Sequence, residues 1–137
     1  MAARADAPAG ACALLSDSEV ERVLHAPASG GRPRVDAGSL ISCDYTAAGG
    51  SVSILLRRHA SKHWIAEQKR RMSAASSFRS VQGVGDSAFV LDMRQAGAAL
   101  CIFHQDHYLE VSVTHIGASE SVLSATKDLA KIVLGKL

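Results

Sequence analysis

Two histidines four residues apart, His59 and His63, lie in a segment that also carries Arg58, Lys62 and Arg70. On a helix that spacing brings both imidazoles to one face, the arrangement from which helical zinc sites are built. The rest of a metal site is missing from the motif. No carboxylate lies between the histidines to orient or complete it, and the glutamate general base of a His-Glu-x-x-His protease is absent. His104, His107 and His115 would join only if the fold brought them there. The expectation is therefore no metal and no cofactor, and a cationic face at Arg58, His59, Lys62, His63 and Arg70. Such a face either stays solvated or meets phosphate, acidic lipid headgroups or an acidic partner.

Other reactive side chains lack the settings that reactions require. Cys101 followed by His104 and His107 has the residue types of a thiol nucleophile and its base, but a nucleophilic thiolate needs an accessible, electropositive site. Ala99-Leu100-Cys101-Ile102-Phe103 is instead the most apolar stretch of the chain, which makes Cys101 a small buried hydrophobe. Gly83-Val84-Gly85-Asp86 has neither the third glycine nor the following helix of a phosphate loop, so it reads as a tight turn in which Asp86 bonds local backbone. Asp86, Asp92, Asp106 and Glu110 are scattered over turns and strands, and no serine has the nucleophile-elbow setting. No catalytic residue is assigned.

The elements that must position these groups follow from spacing. Leu109, Val111 and Val113 alternate with Tyr108, Glu110, Ser112 and Thr114, as in a strand with one face on a core. With Ala88 to Met93 and Ala99 to Phe103 this forms an antiparallel meander, whose breaks at Arg94 to Gly97 and His104 to His107 are of hairpin length. Ile41, Cys43 and Tyr45, then Val52, Ile54 and Leu56, alternate in the same way around Ala47 to Gly50, predicting a hairpin.

Three helices are predicted. Ser16-Asp17-Ser18-Glu19 is a capping box, with Leu15 and Val20 as its staple, and it opens a short helix that offers Val20, Val23 and Leu24 to the core. Pro27 and a Gly30-Gly31-Arg32-Pro33 loop end it. A second helix runs from about Ala60 to Ala75 with Trp64, Ile65, Gln68, Met72 and Ala75 on one stripe. A third runs from Glu120 to Leu134, capped by Ser119, with Val122, Ala125, Leu129, Ile132 and Val133 inward and Gly135 as its stop. Hairpin followed by helix thus occurs twice, over Leu40 to Ala75 and Ala99 to Leu134. The fold class is α+β: an antiparallel sheet of five to six strands with two longer helices and one short N-terminal helix, in a single domain over residues 12–137 after a disordered segment, residues 1–11.

At 137 residues and 47% hydrophobic content the chain can bury a core without metal support. An aromatic content of 4% provides few rings for stacking bases, which argues against nucleic acid as a partner. Net charge is +2, but Arg57 to Arg71 concentrates six cations against Glu67, leaving nine basic and twelve acidic side chains elsewhere, a net of −3. No apolar run approaches the roughly 18 residues of a membrane span. The opening Met1 to Pro8 includes an Ala-x-Ala pattern at Ala3 to Ala5, resembling the tail of a removed export signal.

At Cys12-Ala13-Leu14-Leu15-Ser16, Glu19-Val20, Cys43 and Gly83-Val84-Gly85-Asp86-Ser87-Ala88, the chain resembles a broad group of small bacterial extracytoplasmic domains of unknown function, many of them lipoproteins. The resemblance covers nearly everything from Cys12 onward. It implies a bridge from the cysteine before the first helix to one in the following strand, here Cys12 to Cys43. Such a bridge closes a loop of about 30 residues and is worth on the order of 3 kcal/mol. Three reduced cysteines in a cytosolic protein is the alternative. The chain departs from the lipoproteins in lacking a leader, and Gly10-Ala11-Cys12 has no upstream apolar run to make it a lipidation site.

Together these readings favour an extracytoplasmic (periplasmic or secreted) domain that binds a protein or small-molecule partner of the cell envelope without catalysis. A small cytosolic enzyme or enzyme subunit with a pocket built from Asp92, His104 or Glu110 is the second reading, and a basic-face adaptor for anionic surfaces the third. Leu55, Leu100 and Ile102, on the second face of their strands, leave room for a homodimer.

Overall fold

The computed structural model describes residues 10–47, 49–93, 96–114 and 119–137. In chain order they form a 3-10 turn (Ala11–Ala13), α1 (Asp17–Leu24), β1 (Ala28–Ala37), β2 (Leu40–Ala47), β3 (Gly50–Arg57), α2 (Lys62–Ala74), β4 (Phe78–Val81), β5 (Ser87–Asp92), β6 (Gly97–His104), β7 (His107–Thr114) and α3 (Ser119–Leu134). The strands make one seven-stranded sheet in the order β1-β2-β3-β7-β6-β5-β4. Every neighbouring pair is antiparallel.

Alternation decides which side chains enter the core. Ile41, Cys43 and Tyr45 on β2, Val52, Ile54 and Leu56 on β3, Leu109, Val111 and Val113 on β7, and Leu100 and Ile102 on β6 share a first face and are buried. Burying such a side chain is worth about 1.5–3 kcal/mol relative to leaving it exposed. The cover over this face comes from the 3-10 turn, α1 and α3, which contribute Leu14, Leu15, Val20, Val122, Leu129, Ala130 and Val133. A disulfide between Cys12 and Cys43 (S–S 2.05 Å) fastens the turn to β2. Gly31 on β1 is required there, because a Cβ would stand 2.7 Å from the Cys43 sulfur and 2.9 Å from the Tyr45 ring.

α1 starts at the box read from its sequence. Glu19 N donates to Ser16 Oγ (3.1 Å) and Ser16 N to Glu19 Oε1 (2.8 Å). The Tyr45 hydroxyl, donating to the carbonyl of Leu15 at 2.5 Å, docks this helix start on the sheet. Burial pushes the Tyr45 phenol well above its ordinary range, so it remains a donor.

Glu19 Oε1 also accepts from Lys136 Nζ at 2.7 Å, tying α1 to the end of the chain. That lysine, foremost, holds the Glu19 carboxyl below its ordinary 4.5, against the desolvation that opposes it. A depressed carboxylate pKa stabilises the fold above the unfolded value and ceases to as pH falls through the folded one. Lys136→Met is therefore expected to cost less than about 1 kcal/mol at neutral pH and nothing in strong acid. Urea denaturation of both proteins at about pH 7 and about pH 2.5 checks it; an equal difference at both would sink the electrostatic account.

Several expectations need correction. The sheet has seven strands rather than five to six. The segment read as a loop at Gly30 to Pro33 is edge strand β1, and Phe78–Val81 forms the opposite edge, β4. Gly10 and Ala11, assigned to the N-terminal tail, are buried; residues 1–9 lie outside the described residues. The second helix begins at Lys62, with Ser61 as its cap, rather than near Ala60. α3 starts at Ser119, whose side chain lies outside the described set, as do Ala48, Arg94, Gln95 and His115. Leu100 and Ile102 face the first side, where this chain's own helices cover them; Leu55 packs on the other side with α2. The repeated hairpin and helix is visible in the topology, but α2 and α3 pack on opposite faces of the sheet.

Candidate functional site

The second face of the sheet is covered over only part of its area. α2 lays Trp64, Ile65 and Met72 against Leu55, Phe78, Phe89, Cys101, Phe103 and Tyr108. The Trp64 ring meets Tyr108 edge-on with centroids 5.4 Å apart. Arg57 lies 5.0 Å over Trp64 and Lys69 5.5 Å over Phe103, so two cations of the basic segment are held by ring faces. Beneath the helix Tyr108 donates to Glu110 Oε2 at 2.7 Å. Burial pushes the Cys101 thiol up to about 11, which leaves it protonated and inert.

Beside α2 the face is lined by small hydroxyl side chains. Register places Ser29 opposite Thr46, Thr46 opposite Ser51, and Ser51 opposite Thr114, one row across β1, β2, β3 and β7. Ser29 and Thr46 hydroxyls are 2.6 Å apart, as are those of Ser51 and Thr114. The next row on the same face is Asp44, Ser53, Ser112 and Ala99, with Arg34 Nε 3.2 Å from Asp44. Ser29 and Thr46 are exposed, Ser51, Ser53, Ser112 and Thr114 are half-buried, and Ala99 is buried. At the β1 end, Pro27, Ala28, Ser29, Thr46, Ala47, Gly49 and Gly50 line an open depression of about 440 Å³. None of these lining side chains titrates, so recognition there is by shape, backbone groups and hydroxyls.

The residues singled out for chemistry gather elsewhere, at the β6–β7 turn. His59 is outside α2, in a left-handed conformation (φ 55°), so it does not share a helix face with His63. Its Nδ1 lies 3.2 Å from Asp106 Oδ2, and Ala60 N donates to the Asp106 carbonyl at 2.8 Å. The His59 contact holds the Asp106 carboxyl below the usual range. His107 Nε2 is 3.7 Å from Asp106 Oδ1, and His104 Nδ1 is 3.6 Å from Asp86 Oδ1. Asp86 does not bond local backbone as expected; its Oδ2 accepts from Gln105 N at 2.7 Å, across nineteen residues. The His59 and Ala60 contacts tie the segment before α2 to the β6–β7 turn, and those of Asp86 tie the β4–β5 connection to it. Among the described residues no group of three His, Cys, Asp or Glu converges to hold an ion.

Arg58 directly follows β3, and Lys62 and His63 open α2. Arg70 is about 12 Å further along the helix than Lys62, and its Nη2 donates to both Glu67 carboxylate oxygens at 2.7 and 2.8 Å. The trio Asp92, His104 and Glu110 does not assemble: Asp92 stands opposite Ala98 at one end of β5–β6, His104 opposite His107 at the other end of the sheet, and Glu110 opposite Cys101 between them.

The polar positions of β2, β3 and β7 are legible from alternation, but their lateral alignment with Ser29 is not, since the Gly30 to Pro33 sequence carries no strand period. The signal in the sequence was the kind of polar residue, serine and threonine rather than lysine. No protein-family model matches the chain. No curated protein and no solved structure matches it either.

Proposed function

We propose that the chain is an extracytoplasmic binding domain without catalytic activity that engages a protein or small-molecule partner of the cell envelope through the uncovered part of its second sheet face. The observation that carries this reading is the pair of hydroxyl rows, Ser29-Thr46-Ser51-Thr114 and Ser53-Ser112, beside α2 and running into the depression at Gly49 and Gly50. Short hydroxyls lose little rotamer freedom when a partner covers them, and each can donate or accept. The Cys12–Cys43 bridge supports an oxidising compartment.

Photocrosslinking residues placed at positions 53 and 112 in the producing cell test the proposal, with exposed Asp128 on α3 as the comparison site. Adducts are expected at Ser53 and Ser112 and not at Asp128. Adduct mass separates a second copy of the chain from another protein. Ser53→Arg/Ser112→Arg should abolish the adduct formed from a crosslinker at Thr46 while the protein keeps its melting transition. Equal labelling at Asp128, or none on the face, would reject the assignment.

A further inference from the structure

Independently of the sheet face, we propose that α2 is a membrane-facing pole, docking the domain on an anionic lipid surface through Arg58, Lys62, Arg70 and Arg71. Charge is segregated along the chain: Arg57 to Arg71 holds six cations and one carboxylate, while all remaining side chains sum to −3. In the fold this segment runs from the end of β3 into α2, which lies on the second face of the sheet. Two carboxylates contact the segment, Glu67 through Arg70 and Arg71 and Asp106 through His59. Lys62, His63, Arg70 and Arg71 are exposed.

Two features suit this pole to a plane. Along the outer stripe of α2, Lys62 and Arg70 are separated by Ala66 and flanked by Ser73, so no large side chain holds a flat surface away from the cations. The stripe is convex, whereas a nucleic-acid strand is usually held in a charged groove. Among the described residues the exposed large hydrophobic is Leu137, at the other helix's end. Docking is therefore by charge at headgroup level, without insertion. The disulfide selects among anionic surfaces, because an oxidising compartment offers phospholipid headgroups far more than nucleic acid.

Co-sedimentation with vesicles of phosphatidylglycerol and phosphatidylcholine, about three to seven by mole, is the test. The full chain should sediment at low salt, be released by about 0.5 M salt, and ignore pure phosphatidylcholine. At about fivefold per cation, Arg58→Gln/Lys62→Gln should weaken partitioning about twenty-five-fold. Lys127→Gln/Lys131→Gln on α3 should change it less than about twofold. The salt titration of the unaltered protein stands whether or not a variant folds. Failure to sediment at low salt, equal loss in both double variants, or equally tight binding of a short DNA duplex would each overturn the proposal.

Discussion

Replacing Cys12 and Cys43 together by alanine is expected to cost about 3–4 kcal/mol of folding stability. The bridge spans 31 positions of sequence, and tying its ends removes unfolded-chain entropy in proportion to the logarithm of that length. It also fastens the 3-10 turn and the start of α1 to the most buried part of β2, where Cys43 is fully inaccessible. Besides the bridge, the Tyr45 hydroxyl on the Leu15 carbonyl and the packing of Ala11, Leu14, Leu15 and Val20 into the core hold this corner to the sheet. A domain of this size has roughly 5–15 kcal/mol in total, so the loss is a large fraction. Urea denaturation measures it, with reduced unaltered protein falling to the same midpoint and Cys101→Ala retaining most of the stability. A shift below about 1 kcal/mol would show that packing alone holds the corner.

The five strands legible in the sequence are the five interior ones, and the two missed strands are the two edges. An interior strand of this sheet is paired on both sides and packed on at least one face, so its apolar residues must alternate or run continuously. β1 pairs only with β2, contains Gly30, Gly31 and Pro33, and has register shifts between Ser29 and Arg32 and between Pro33 and Val35. Proline and irregularity are tolerated at an edge, and they erase the periodic signal. β4 is four residues long, too short to show any period. Local devices were readable where both partners lie within a turn of chain, as in the Ser16–Glu19 box. Asp86 misled because its acceptor role is fulfilled nineteen residues away. The candidate binding face needs longer reach still: Ser51 meets Thr114 across 63 positions, and a single-residue slip of β3 on β7 would turn that row to the other side. His59 was placed on a helix by spacing, but Ser61 caps α2 by accepting from Trp64 N at 3.1 Å, and this excludes His59.

Gly97→Ala is expected to destabilise by about 3–5 kcal/mol, from a strained backbone and an overlap that cannot relax. Gly97 has φ +132°, a conformation that side chains rarely adopt, and a Cβ there would stand 2.0 Å from the carbonyl oxygen of Val113 and 2.8 Å from Thr114 Cα. Both are backbone atoms of β7, the strand through which the two halves of the sheet are joined. Moving them breaks either the β6–β7 ladder or the β3–β7 ladder, and a flexible side chain is not available to yield instead. Gly38 separates the two causes. It too has positive φ (+62°), yet nothing lies within 4 Å of its Cβ position, so Gly38→Ala should cost about 1 kcal/mol. Equal losses in the two variants would mean that φ alone matters and that β7 accommodates the methyl group. The expected inequality has a functional counterpart, because Thr114 is the register partner of Gly97 and also closes the hydroxyl row with Ser51. Any Gly97→Ala protein that still folds must displace Thr114, so its crosslinks from positions 53 and 112 should weaken while those of Gly38→Ala persist.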